Sequence, residues 1–269
     1  LANGLLSYRN YYSQRSTGYY GFDSVLLAIA FMYLCRIKTI EELKHHNSGE
    51  LGKLLGLDRI PESRCFRGIL RELSDQQKAP EWGAYLAEQW IGQENPGIYY
   101  IDGHVQVYHG YLAKLGKKHV SRQKLCLPGM MEFWVNNFEG LPYFFVTGQV
   151  NEKLQEALVN EIIPHLDQIP FAGAPEQEIK NDPLLPRYTL VFDREAYSPR
   201  FFGSLWEDKS IAIITYQKNV KERWDESLFS DYEIETEMGK TIIPLHEKEI
   251  VVDGVSMREV RKLNDSGHQ

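Results

Sequence analysis

Two stretches, Ile98-Tyr99-Tyr100-Ile101-Asp102-Gly103-His104-Val105 and Tyr188-Thr189-Leu190-Val191-Phe192-Asp193-Arg194-Glu195, decide how this chain is read. Each is a short β-branched and aromatic run that ends in an aspartate, the composition of a strand. An acid at the tip of a buried strand is poorly solvated and rigidly held. Two such acids on one sheet repel each other, and a divalent cation relieves that repulsion. Oxygen-only ligands suit magnesium or manganese. Ions of that kind align a nucleophile and a leaving group in phosphoryl transfer. Asp102 and Asp193 are therefore candidate catalytic and metal-holding acids of an enzyme acting on a phosphodiester backbone. A plainer reading stays open for each. Asp102-Gly103 between apolar runs is also a signal for a tight hairpin turn, and Asp193 also suits a strand-end acid capping a loop.

The flanking sequence predicts an α/β layer. Strands are expected over residues 98–108, 124–135, 142–148, 188–193 and 211–216. Between them, residues 151–167 form an amphipathic helix with Leu154, Ala157, Leu158, Ile162 and Leu166 on one side. Residues 170–187 read as a polar, proline-containing loop. Ser198-Pro199 opens a further helix that runs to about Trp206. Hairpin-like strands followed by alternating helices and strands indicate a mixed sheet. After Asn219, strand patterns over 232–237, 241–245, 249–252 and 255–260 are punctuated by Met238-Gly239-Lys240 and Asp253-Gly254, a β-meander.

Upstream of the sharp break at Asn95-Pro96-Gly97, the pattern is helical. Residues 22–37 are apolar without alternation and read as a buried helix. Thr39-Ile40-Glu41-Glu42 is a capping box that opens a short helix, which Ser48-Gly49 breaks. A second short helix is expected over 50–57 and a third from Pro61 to about Leu73. On the third, Arg64, Arg67 and Arg71 fall on one face. That order suits a helix-turn-helix-like DNA module; the plainer reading is a solvated face. Three regions result: helical and DNA-binding over 1–95, a catalytic core over 96–219, and a β-rich part over 220–269.

The chain of 269 residues has room for more than one domain, and its 43% hydrophobic and 25% charged content is that of a globular protein. Net charge is −7, yet no acid falls between Val105 and Met131. That window carries Lys114, Lys117, Lys118, Arg122 and Lys124, with His109 and His119. A local basic stretch beside a metal site outweighs the whole-chain sum, so Lys114, Lys117 and Lys118 join the arginines as candidate DNA contacts. A solvated loop is the plainer reading. Cys35, Cys65 and Cys126 fit no disulfide or zinc spacing, which points to a reducing interior. The longest apolar run, residues 25–34, is too short to cross a bilayer. Leu1 in place of methionine, and a last stretch that closes no periodic element, lead us to expect a piece of a longer protein, cut at both ends.

Three runs carry a family resemblance: Tyr99-Tyr100-Ile101-Asp102-Gly103-His104-Val105-Gln106-Val107-Tyr108-His109-Gly110, Leu190-Val191-Phe192-Asp193-Arg194-Glu195-Ala196-Tyr197-Ser198 and Ile213-Ile214-Thr215-Tyr216-Gln217-Lys218-Asn219. With the stretch from Gly49 to Glu62, they resemble a bacterial insertion-sequence transposase of the DDE type, and the likeness spans nearly the whole chain. The resemblance implies a ribonuclease-H-like mixed sheet with flanking helices, an all-helical domain before it and a β-rich insertion after it. It makes Asp102 and Asp193 the first two acids of a triad that binds magnesium or manganese. It implies double-stranded DNA, as transposon ends and target, for a partner. It allows a homodimer in the DNA complex, and it implies no membrane and a cytoplasmic, nucleoid-associated location. In relatives with such an insertion, the third acid follows it in a Tyr-x2-Arg-x3-Glu-x6-Lys type motif. No such motif follows here, so a third acid beyond residue 269 and an inactive fragment are expected. Glu226 is the alternative within the chain. Two other functions stay open: a metal-dependent nuclease or phosphoesterase, and an inactive DNA-binding remnant.

Overall fold

The computed structural model describes residues 4–15, 18–92, 95–110, 112–120, 123–218, 220, 222–236 and 239–264. The chain divides into two compact units, Leu1–Gly92 and Gln93–Gln269. No helix among the described residues is long and apolar enough to cross a membrane.

The first unit is helical. Its helices are α1 (Phe22–Leu34), α2 (Ser48–Leu54), α3 (Ser63–Asp75) and α4 (Ala79–Trp90), with 3-10 turns at Leu5–Asn10 and Ile40–His45. The apolar stretch of α1 buries Phe22, Val25, Ala28 and Met32. The more polar α3 turns only Phe66, Ile69 and Leu73 inward. These pack with Tyr8, Tyr12, Ile37, Leu43 and Ile60 into one core. Thr39 caps the Ile40–His45 turn, its Oγ1 accepting from the Glu42 amide at 3.3 Å. The Glu42 carboxylate reaches the Lys38 amide instead of closing the expected box on Thr39. Ser48-Gly49 does not break a helix but forms the first turn of α2. Asn47 is the reason: its Oδ1 accepts from the amides of Gly49 and Glu50.

The second unit is mixed α/β. Strands β1 (Ile98–Val107), β2 (Lys117–Val120), β3 (Leu125–Asn136) and β4 (Pro142–Gln149) come first. Leu154–Gln168 then forms one helical run, α5 (Leu154–Ala157) and α6 (Ile163–Gln168) joined through a π turn. After α7 (Glu176–Asn181) come β5 (Tyr188–Phe192), α8 (Pro199–Lys209) and β6 (Ile211–Thr215). β3 is antiparallel to β1, β2 and β4, whereas β5 runs parallel to β1 and β6 parallel to β5. The path from β4 is β4-β3-β1-β5-β6.

Register sorts the side chains onto two faces. On one, Ile101, Val135, Phe144 and Phe192 are in register and buried. Helices cover them: Phe144 lies 4.3 Å from the His165 ring on α6, and Phe192 lies 6.1 Å from Phe202 on α8. On the other face, Asp102, Trp134 and Phe145 are in register, as are Tyr100, Val191 and Ile214. There Phe145 is 48% exposed and Ile214 56% exposed.

A second sheet, β7 (Ser230–Thr236), β8 (Gly239–Val252) and β9 (Val255–Lys262), lies in the same unit. The two strands expected over 241–252 are one. Leu245 pairs with Ser230 on β7 and with Lys262 on β9, so β8 passes from one partner to the other without a break. Asp253 and Gly254 both have positive φ, the two-residue turn that their sequence predicts. Asn219, Arg122 and Met238 lie outside the described residues.

Candidate active site

β1 and β5 pair in parallel through Ile98↔Thr189, Tyr99↔Leu190, Tyr100↔Val191 and Ile101↔Phe192. The next residue on each strand is an aspartate, Asp102 on β1 and Asp193 just past the end of β5. The register thus brings the two acids to adjoining positions on neighbouring strands.

Neither acid sits at the buried strand tip that the sequence suggests. Asp102 is in the middle of β1, paired with Trp134, and both acids are exposed. The hairpin reading of Asp102-Gly103 fails for the same reason: Gly103 continues the ladder opposite Phe133. A Cβ there would lie 3.3 Å from the Phe133 ring and from Glu195 Oε2, so a side chain at this position would press on both.

Asp193 is held from two sides. Its Oδ1 accepts from the Glu195 amide at 2.7 Å and caps the 3-10 turn Arg194–Ala196. Its carbonyl accepts from Thr215 Oγ1 at 2.9 Å, at the end of β6. Gln155 Nε2 on α5 donates to the Ala196 carbonyl at 3.0 Å and ties the same turn to the helical layer. The side chain of Glu195 is directed to Gly103, and only its amide supports Asp193.

The other candidate residues are dispersed. Glu226 is exposed in a 3-10 turn and pairs with Arg223 at 2.8 Å. Among the described residues, no group of three or more His, Cys, Asp or Glu side chains gathers to hold a metal ion. His104 and His109 are exposed. Lys114 and Lys117 are exposed, whereas Lys118 is half-buried with Nζ 3.4 Å from Met131 Sδ. In the helical unit, Arg64, Arg67 and Arg71 line one open groove with Glu41, Ser63 and Gly68. Arg67 pairs with Glu41 at 2.5 Å, while Arg64 and Arg71 form no ion pair with a described residue.

A family model described as "Transposase protein" matches residues 1–269. The chain belongs to this transposase family. No curated protein matches it. Within the transposase, sequence reasoning missed Thr215 as a support of Asp193 and missed the open face of the sheet. A lone threonine at a strand end carries no signal of its own. The run Phe133-Trp134-Val135 is apolar on both faces, so alternation could not tell the open side from the covered one.

Proposed function

We propose that this transposase cuts DNA strands and joins them to a target with Asp102 and Asp193 as its metal-holding acids. The observation that carries the proposal is the pairing of β1 with β5, which ends in two acids at matching positions. The strand path β4-β3-β1-β5-β6, in which only β3 runs opposite to the other four strands, favours a ribonuclease-H-like core of the DDE type. The resemblance of the sequence motifs favours a bacterial insertion-sequence enzyme.

Two exposed carboxylates on adjoining strands fit magnesium or manganese. Magnesium takes oxygen ligands, keeps several waters, and is commonly held by one or two carboxylates together with substrate phosphates. When bound there, the ion would supply electrostatic stabilisation of the phosphoryl transition state. The protein's part is to place the acids. The Glu195 amide occupies Asp193 Oδ1 and leaves the other carboxylate oxygen for a ligand, and Thr215 fixes the backbone beneath it. In strand cleavage, water oxygen bonds to phosphorus, the bond to the 3′ oxygen breaks, and the freed 3′-hydroxyl leaves as the attacking group for target DNA. A third acid, Glu226 or one in a Tyr-x2-Arg-x3-Glu-x6-Lys type motif, would complete the ligand set.

In this reading, residues 1–95 form a helix-turn-helix-like DNA-binding region using Arg64, Arg67 and Arg71. Residues 96–219 form the catalytic core and 220–269 a β-rich insertion. The test is metal-dependent cleavage of a duplex carrying the element's terminal sequences, by a protein extended past residue 269. Asp102→Asn or Asp193→Asn should abolish cleavage and leave DNA binding intact. Cleavage at the unmodified rate by either variant overturns the proposal.

A further inference from the structure

The face that carries Asp102 continues well past it. Partner residues on paired strands share a face, so the register can be followed along β3. Asp102 pairs with Trp134, His104 with Glu132 and Gln106 with Met130. Further along the same strand, Lys117 pairs with Pro128 and His119 with Cys126. The β3 partners are alternate residues of one unbroken strand, so Asp102, His104, Gln106, Lys117 and His119 stand on one face. All five are exposed. At about 3.4 Å per residue, Lys117 lies roughly 20 Å and His119 roughly 27 Å from Asp102 along the strand. Lys118 belongs to the opposite face, where its ammonium meets Met131.

The sheet narrows in the same direction. β4 ends opposite Met130 and β1 ends opposite Gly129. Beyond that point, among the described residues, β2 and β3 continue as a two-stranded ribbon, with exposed Lys124 just before β3. No acid occurs from Val105 to Met131, on a chain whose net charge is −7. A two-stranded β-ribbon fits the major groove of B-form DNA, and the narrow major groove of duplex RNA does not admit one.

We propose that the β2–β3 ribbon is a docking arm for double-stranded DNA, lying in the major groove and holding the duplex through Lys117, His119 and Lys124. The arm places the flanking duplex along the face that leads to Asp102. Its direction toward a scissile phosphate rests on the acid assignment above, but its contact with DNA does not depend on any chemistry.

The test uses the whole chain in metal-free buffer and a fluorescent DNA duplex of mixed sequence, with affinity measured across a salt series. Lys117→Ala should weaken binding and reduce the slope of log K against log salt by about one, and Lys117→Ala with Lys124→Ala by about two. Lys180→Ala on α7 should leave the slope unchanged. In a Cys35→Ser, Cys65→Ser background, an iron–EDTA group on Cys126 should cut the duplex at a confined set of positions. An unchanged slope in the double variant, or no cutting from Cys126, overturns the arm. Equal competition by duplex RNA overturns the groove assignment. If the slope falls but Asp102→Asn still cleaves in the metal-dependent assay of the extended protein, the arm stands and the acid assignment fails. If Asp102→Asn abolishes cleavage by the extended protein and the slope is unchanged, only the arm fails.

Discussion

The two faces of the mixed sheet are built from the same strands and differ in almost everything else. One face buries Ile101, Phe133, Val135 and Phe192 beneath α6 and α8. The other leaves Asp102 in the open beside Trp134, which stacks on Phe145 at 4.7 Å. A residue shift of one along β1 moves from a 4% exposed isoleucine to an exposed acid. The covered face carries the stability of the unit, and the open face is free to carry chemistry. Substitutions on the two faces should therefore separate folding from function.

The largest effect on stability is expected on the covered side. Phe133→Ala removes a fully buried ring and should cost about 3–5 kcal/mol in denaturant unfolding. A loss below about 1 kcal/mol would mean that the helices do not seal this face. Gly103→Val comes next. Its side chain would press on Phe133 and Glu195, and a cost of about 1–3 kcal/mol is expected. Trp134→Ala, on the open face, should cost only about 1 kcal/mol, the size of an aromatic pair. If it matches Phe133→Ala, the contrast between the faces is lost.

Smaller still is the effect of Thr215→Val, which removes the hydroxyl that donates to the Asp193 carbonyl. Stability should fall by about 1 kcal/mol or less, and Mn2+ affinity should fall with it. Retained Mn2+ affinity would show that Thr215 does not position the acid.

The smallest expected change concerns pH. Burial beside Phe144 holds the His165 imidazole below its usual range, against a weaker pull upward from Glu161. In the unfolded chain it titrates near about 6.5. The unfolded state therefore takes up the proton more readily, so stability is lost as pH falls below that value. His165→Leu should flatten the decline below about pH 6.5. An unaltered slope would assign the decline to other groups.

Much of this arrangement was legible in the sequence, because short apolar runs and amphipathic helices follow local rules. The strand around Tyr188–Phe192 and the helix bearing Leu154, Leu158, Ile162 and Leu166 are examples. The turn at Asp253-Gly254 was readable from its two residues alone. What stayed hidden depends on partners far away in the chain. Asp102-Gly103 has the composition of a turn, and only the ladder to Phe133 keeps it extended. Ser48-Gly49 has the composition of a breaker, yet the Asn47 cap recruits it into α2. The pairing of Lys117 and His119 with the face of Asp102 needs the register of β3, which no local pattern encodes.

If Asp102 and Asp193 share a metal ion, Mn2+ titration followed by electron paramagnetic resonance will register that ion and its loss. The unmodified chain should bind Mn2+ at a weak site. Asp102→Asn and Asp193→Asn should each remove that site while unfolding at the denaturant midpoint of the parent. Mn2+ binding at parental affinity by either variant would contradict a shared ion.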